Sequence, residues 1–232
     1  MTTYYKAVRV DGTDFYSGAV RWAPESGDIP AGFLVTHPTS TVWGRDHATH
    51  LCASTAATDC TGFRWPCRLL KVQPVGEIHE HDGCKVSALS WRVVRELPAT
   101  QALGPQGAAV AALIEGVTRL DAESLARLAD ARDAVWFADL DAAWDAARDA
   151  AWDADAARDA ARDAAWVAAW GAARDADADR DAAQGATRDA AVALITWDLV
   201  TPTHRDTLTA PVRAALPDLW ADVVEHLPQE VR

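Results

Sequence analysis

Two groups of histidine and cysteine residues carry side chains that could bind a metal ion. Residues 47–52 read His-x-x-His-x-Cys, and residues 79–84 read His-x-His-x-x-Cys. Zinc accepts imidazole nitrogen and thiolate sulfur as ligands, so a fold that joined the two groups would create a zinc site. Neither spacing is that of a known zinc finger or ribbon. We therefore interpret these residues as scattered thiols and imidazoles, and we predict no metal ion.

No other motif in the sequence points to a particular reaction. The chain has no G-x-S-x-G nucleophile motif, no glycine-rich phosphate loop and no H-E-x-x-H metal motif. A cysteine–histidine nucleophile pair stays open, although four cysteines and seven histidines would bring some pair together by chance. We assign no catalytic residue and no cofactor, and the sequence favours a non-enzymatic role.

A tryptophan-bearing repeat is the strongest candidate for a binding surface. Residues 141–192 consist almost entirely of Asp-Ala-Ala followed by Trp, Arg or Gln, a composition typical of an α-helix. Four of its tryptophans fall within an arc of about 80° on such a helix. Tryptophan is costly to expose and common at binding hot spots. Either another part of the chain covers this stripe, or it binds another protein through Trp144, Trp152, Trp166 and Trp170.

The opposite face of the repeat helix consists of alanine. Small side chains let a second helix approach closely, which favours a helical hairpin, a bundle or a side-by-side dimer. Similar blocks recur every 22 residues, which is about 3.67 residues per turn over six turns, the period of a straight or slightly right-handed helix pair. Gly171 and Gly185 are the positions where this rod would bend or fold back.

The negative charge of the chain lies in the repeat. Residues 121–200 hold 18 acidic side chains and 8 arginines, a net charge of −10 out of the total of −12. Residues 141–181 carry a net charge of −6, from 11 acids and 5 arginines. This is one charge per ~10 Å of helix, against one per ~1.7 Å of duplex DNA. The comparison favours a solvated face over a DNA mimic, and we expect no direct binding to nucleic acid.

The pattern along the chain predicts an α+β protein, a small N-terminal β-rich domain followed by a long Ala-rich helical region. We place a β-rich domain at 1–100, a linker and short helix at 101–120, repeat helices at 121–200 and a C-terminal helical tail at 201–232. Alternating and β-branched segments predict five strands, at residues 4–10, 14–19, 33–37, 66–75 and 87–96.

Turn and capping residues complete this prediction. Asp11-Gly12 is typical of a hairpin turn, and residues 44–57 are expected to form a short helix or a loop. A helix at 108–116 is followed by one capped by Asp121. A last helix is predicted at 210–226, with Pro217 as a local defect.

The chain is expected to act in the cytoplasm of a bacterial host. No segment reaches the roughly 18 apolar residues of a membrane span, and the first ten residues do not resemble a signal peptide. The four cysteines are therefore expected to be reduced thiols.

Several segments resemble uncharacterised proteins of actinobacteria and their phages. The opening YYKAVRVDGTDFYSGAVRW and the later TDCTGFRWPCRLLKVQPVGE are similar to an N-terminal module of such proteins. The Asp-Ala-Ala-Arg/Trp repeat followed by ITWDLVTPTHRDTLTAPV resembles actinobacterial repeat proteins, some of them labelled immunity-like. The resemblance implies a phage-related origin and carries no site residue.

A second resemblance is to ADP-ribosyltransferase-like folds. It lies in the Tyr-Lys-Ala strand at residues 4–7 and in the Leu-Cys-Ala-Ser-Thr segment at residues 51–55. What it implies is an NAD-contacting strand and a catalytic glutamate, for which Glu80 and Glu96 are the candidates.

Together these observations predict a non-enzymatic, phage-encoded interaction or assembly protein that self-associates through its alanine face and binds a host protein. The alternatives are an NAD-linked enzyme in the N-terminal domain and an acidic inhibitor of a nucleic-acid-binding protein. The partner, the oligomeric state and a site in the N-terminal domain stay open.

Overall fold

The computed structural model describes residues 2–44, 49–60, 62–80, 83–135, 137–150 and 177–229. Within these residues the chain divides into two compact units, Met1–Ala102 and Leu103–Arg232. The first unit contains the strands and the second contains the α-helices. The α+β class and the order of sheet before helices are thus confirmed.

A seven-stranded sheet forms the first unit. The spatial order is β2-β7-β4-β1-β3-β6-β5, and every pairing between neighbours is antiparallel. Both edge strands are short, with three residues in β2 and two in β5. The strands are β1 (Tyr4–Val8), β2 (Leu34–Thr36), β3 (Leu51–Ser54), β4 (Arg68–Val75), β5 (His79–Glu80), β6 (Lys85–Ala88) and β7 (Ser90–Leu97).

Two of the predicted strands, and the segment predicted as a helix or loop, differ from the structure. Residues 14–19 form a turn, because the Asp14 carboxylate accepts backbone N–H groups that a neighbouring strand would otherwise bind. The predicted helix or loop at 44–57 contains strand β3, which is only four residues long. The predicted strand at 87–96 is instead divided between β6 and β7, with a break at Leu89, whose carbonyl accepts the backbone N–H of His37.

The Asp11-Gly12 turn forms, but not between two strands. Gly12 has a φ of 83°, a conformation that glycine adopts without strain, and an added Cβ would meet the Ala23 carbonyl oxygen. Beyond the turn, Thr13 and Arg21 form only an isolated bridge.

Two buried tryptophans lie at the centre of the sheet unit. Trp91 on β7 is fully buried, and its indole donates a hydrogen bond to the Leu51 carbonyl at 2.9 Å. Tyr4 meets the Trp91 ring edge-on, with the ring centres 5.6 Å apart, and Trp22 packs against it at 6.5 Å. The first strand is thereby tied to β3 and β7 through one aromatic cluster.

Six helices are described in the second unit. They are α1 (Gly107–Val117), α2 (Ala122–Asp133), α3 (Phe137–Ala150), α4 (Asp177–Ile195), α5 (Pro202–Ala215) and α6 (Pro217–Glu225). The predicted cap is confirmed, since Asp121 accepts the backbone N–H of Ser124 at 2.9 Å. The predicted single helix at 210–226 is wrong, because the helix is interrupted at Leu216. Pro217 begins α6, since proline is favoured in a first helical turn.

Helix α4 contacts the other long helices of the unit. It packs against α1, α2, α3 and α5, and alanines fill much of its buried side, including Ala183, Ala186, Ala190 and Ala193. Gly185 lies inside α4, which continues without a break, so the chain does not fold back there. Gly171, the other predicted bend, lies outside the described residues.

The described helices include none that is long and apolar enough to cross a membrane.

Candidate functional site

A large cavity opens in the sheet unit beside strands β1 and β3. Its volume is about 690 Å³, which falls within the range of small-molecule sites. Strand β1 contributes Lys6 and Ala7, and β3 contributes Leu51 and Cys52. The turn at residues 14–20 and the segment at residues 37–39 form further parts of the wall.

Lys6 is the only charged residue on the inward face of β1. Successive side chains of a strand alternate between its two faces, so Lys6 shares a face with Tyr4 and Val8, which both belong to the buried core. Its Nζ lies 5.0 Å from the centre of the Trp22 ring, within the range of a cation–π contact. Among the described residues, none accepts a hydrogen bond from this amine.

Burial lowers the pKa of the Lys6 ammonium below its ordinary value of 10.5. Cys52 and Asp14 oppose this shift through their charges, and Lys85 adds to it, but burial dominates. The amine is therefore more readily deprotonated than an exposed lysine, although it faces the cavity.

Trp22 supplies a second hydrogen-bond donor without an acceptor. The side chain is 1 % exposed and lines the same cavity as Lys6. Its Nε1 is buried and has no hydrogen-bond partner in the described part of the chain. Burying an unpaired N–H group is unfavourable, and most buried polar groups have a partner. The Lys6 amine at the cavity and the buried N–H of the neighbouring Trp22 thus both lack an acceptor.

Asp14 fixes the turn that forms part of the cavity wall. Its carboxylate accepts the Ser17 backbone N–H at 2.6 Å, the Ser17 hydroxyl at 2.7 Å and the Val20 N–H at 3.0 Å. Burial by itself raises the pKa of Asp14, but these hydrogen bonds outweigh it, so the pKa is lowered. The same turn brings Phe15 and Tyr16 to the cavity, and Tyr16 is 84 % exposed.

Two histidines line the cavity with defined tautomers. His37 Nδ1 accepts the Ser40 backbone N–H at 2.9 Å, so the neutral ring carries its proton on Nε2. His50 Nδ1 lies 2.9 Å from the Gly44 carbonyl oxygen, which requires a proton on Nδ1. In the neutral rings, Nε2 is therefore a hydrogen-bond donor in His37 and an acceptor in His50.

A smaller cavity of about 40 Å³ adjoins the same strands. Its wall includes two cysteines and two of the three lysines, namely Cys52, Cys60, Lys6 and Lys85. Burial raises the pKa of the Cys60 thiol and raises that of Cys67 to about 12. Both thiols are therefore protonated and poorly nucleophilic at neutral pH, since the thiolate is the reactive form.

The described histidines and cysteines do not form a metal site. In the part of the chain that the structure describes, no three His, Cys, Asp or Glu side chains are placed to hold an ion. His50 and His79 instead both stack on the ring of Trp43, at 5.9 Å and 3.9 Å. His47 and His81 lie outside the described residues.

Of the four predicted binding tryptophans, only Trp144 is described. It is half-buried on α3, where its Nε1 donates to Asp189 Oδ1 at 2.8 Å and the Arg188 guanidinium lies over its ring at 4.5 Å. These contacts lie within the chain. Trp152, Trp166 and Trp170 fall outside the described residues, so the predicted stripe stays a prediction.

The two segments that suggested an ADP-ribosyltransferase-like fold lie on neighbouring strands. Residues 4–7 belong to β1 and residues 51–54 to β3, and the two strands are neighbours. Glu96 does not line the cavity: Arg68 donates hydrogen bonds to both of its carboxylate oxygens. Glu80 lies on the edge strand β5.

No protein-family model matches the chain, and no curated protein or solved structure matches it either. The candidate site therefore rests on geometry alone. The signal for Lys6 was present in the sequence, as a single charge at the inward position between Tyr4 and Val8. Trp22 carried no such signal, because its place in the cavity depends on the turn at residues 14–20.

Proposed function

We propose that the N-terminal unit binds a small organic molecule in the cavity beside β1 and β3. One observation carries this proposal: the Lys6 amine lies in the wall of a large cavity and has no acceptor among the described residues. A ligand with an acceptor oxygen would pair with this amine. This would offset the unfavourable free energy of burying it.

The rest of the cavity wall indicates the other features of the ligand. Phe15, Tyr16 and His37 present aromatic rings at the wall, and such surfaces favour a planar ring. The expected ligand therefore combines a planar ring with a carbonyl, carboxylate or phosphate group.

A ligand screen with matched variants tests this proposal. A library of aromatic carboxylates, phosphates and aldehydes, with NAD included, would be screened against the intact chain by saturation-transfer NMR and calorimetry. We expect hits whose affinity falls at least tenfold in Lys6→Met. Lys71→Met is the control, because Lys71 does not line the cavity. Hits that bind both variants equally would overturn the proposal.

The enzymatic alternative uses the same cavity. The adjacency of β1 and β3 supports an NAD-linked enzyme. However, Glu96, one of the two candidate catalytic glutamates, forms a salt bridge with Arg68. We therefore propose binding, and NAD hydrolysis or transfer by the intact chain would replace that proposal with the enzymatic one.

We propose a second function, protein interaction, for the helical unit. The Ala-rich region would form a bundle. Alanines of the repeat that are not buried inside this bundle would form a face that pairs with a second copy or a partner. The favouring observation is that buried alanines line α4 and also α3, at Ala143 and Ala147. The acidic inhibitor of a nucleic-acid-binding protein remains an alternative, which competition between this chain and DNA for a host protein would test.

A further inference from the structure

We infer that Lys6 captures a carbonyl group, forming an imine with an aldehyde or ketone of the bound molecule. The inference rests on the proposed function, because the ligand must first enter the cavity. It adds that the acceptor oxygen belongs to a reactive carbonyl.

The position of the amine favours this chemistry. Lys6 lies in the wall of a cavity large enough for an organic molecule, and it has no ion-pair partner in the described chain. An amine held by a carboxylate would keep its proton and could not attack a carbonyl. Here the nearest charged groups act only at longer range, and burial lowers the pKa, which increases the neutral fraction of the amine.

The reaction needs no oxidant or reductant. The lone pair of the neutral Lys6 amine attacks the carbonyl carbon, a C–N bond forms, and the π electrons move to the oxygen. A proton passes from nitrogen to oxygen and gives a carbinolamine. Loss of the hydroxyl group as water, with the remaining nitrogen proton, leaves the imine. One water molecule is released for each imine formed.

A permanent anion site is the competing interpretation of Lys6. A carboxylate or phosphate would also pair with a lysine, but it would raise the pKa of the amine and would not react. Two probes with the same ring and phosphate separate these readings. Pyridoxal 5′-phosphate carries an aldehyde, whereas pyridoxine 5′-phosphate carries an alcohol in its place.

The low lysine content of the chain makes the test direct. The three lysines are Lys6, Lys71 and Lys85. The intact protein would be mixed with pyridoxal 5′-phosphate, reduced with borohydride after short times, and digested for mass spectrometry. We expect Lys6 to be labelled at least tenfold faster than Lys71 at pH 7.5, and Lys71→Arg to leave that rate unchanged. This comparison needs no variant of Lys6.

Each outcome decides between the inference and the function on which it rests. Equal labelling of Lys6 and Lys71 overturns the inference. If pyridoxine 5′-phosphate then still binds and Lys6→Met weakens it, the proposed function stands and Lys6 is an anion site. If Lys6 is selectively labelled and excess pyridoxine 5′-phosphate slows the labelling, both proposals are supported. If neither probe binds and no ligand is found in the screen, both fall.

Discussion

Trp144 on α3 donates a hydrogen bond of 2.8 Å to the carboxylate of Asp189 on α4. The same carboxylate is fully buried and accepts from Arg132 Nε on α2 at 3.2 Å. Burial raises the pKa of Asp189, although Trp144, Arg132 and Arg188 oppose the shift. One carboxylate thus joins three helices.

Removing that carboxylate should destabilise the helical unit. Asp189→Ala leaves the Arg132 guanidinium and the Trp144 N–H without their acceptor, and breaking a buried pair in this way destabilises by about 3 to 5 kcal/mol. Chemical denaturation followed by circular dichroism would measure the change. Asp141→Ala on the exposed side of α3 is the control, with an expected change below about 0.5 kcal/mol. Equal midpoints for the two variants would contradict this assignment.

The effect of Gly185→Ala on stability should reverse its sign when Arg132 is removed. A Cβ there would clash with the Arg132 guanidinium, and that guanidinium is held by Asp189. Gly185→Ala should therefore destabilise the wild type. In an Arg132→Ala background the same change should stabilise by about 1 kcal/mol, because alanine favours the helix more than glycine does. A thermal-unfolding double-mutant cycle tests this, and the same sign in both backgrounds would refute it.

Lys6 should make stability depend on pH in a defined direction. Its pKa is lower in the folded chain than its ordinary value of 10.5, so the unfolded chain binds the proton more tightly. The contribution of Lys6 to stability is thus fully present above pH 10.5 and is lost as the pH falls through the folded pKa. At pH 7, Lys6→Met should raise the stability by about 1 to 2 kcal/mol, and this gain should shrink toward pH 10.

Urea titrations of wild type, Lys6→Met and Lys71→Met at several pH values measure this difference. Lys71→Met is the control for removing a lysine that does not line the cavity. A Lys6→Met gain that grows with pH would show that the amine is stabilised as the ammonium, and would also weaken the inference of a nucleophilic Lys6.

Self-association through the remaining alanine face predicts a mass that depends on concentration. Ala156 and Ala160 lie outside the described residues, and the repeat pattern predicts them on the alanine face. Ala156→Glu or Ala160→Glu should therefore shift the protein toward monomer in sedimentation equilibrium. A monomer mass for wild type at all concentrations would remove this proposal. A pull-down with Trp152, Trp166 and Trp170 changed to Ala would test the predicted stripe separately, with Trp144 left intact because it anchors Asp189.

Local patterns predicted the elements whose sequence signal is local. The alternation of β1 and β4, the helical pattern of α1 and the Asp121 cap can each be recognised from residues close in sequence, although β1 and β4 then pair across at least 60 residues. Strand β3 was missed because four residues carry too little periodicity, and its place is fixed by pairing with β6 over 30 positions later. The turn at residues 14–20 was read as a strand because alternation does not reveal that the Asp14 carboxylate replaces a neighbouring strand.

The candidate cavity could not be predicted from local patterns, because its wall joins segments that are far apart in sequence. It joins residues near positions 6, 14–22, 37 and 50–52, and no spacing rule relates these segments. Only the charge of Lys6 on an inward strand position was readable in advance.

The two edge strands of the sheet, β2 and β5, are too short to pair stably with a strand of another molecule. Long exposed edges invite intermolecular β-pairing, and blunt edges prevent it. A second strand that paired with β2 or β5 would find only three or two residues of backbone there, so these two strands favour recognition through side chains or loops. Their shortness also limits amyloid-like stacking along them at the high concentrations that any assembly would require.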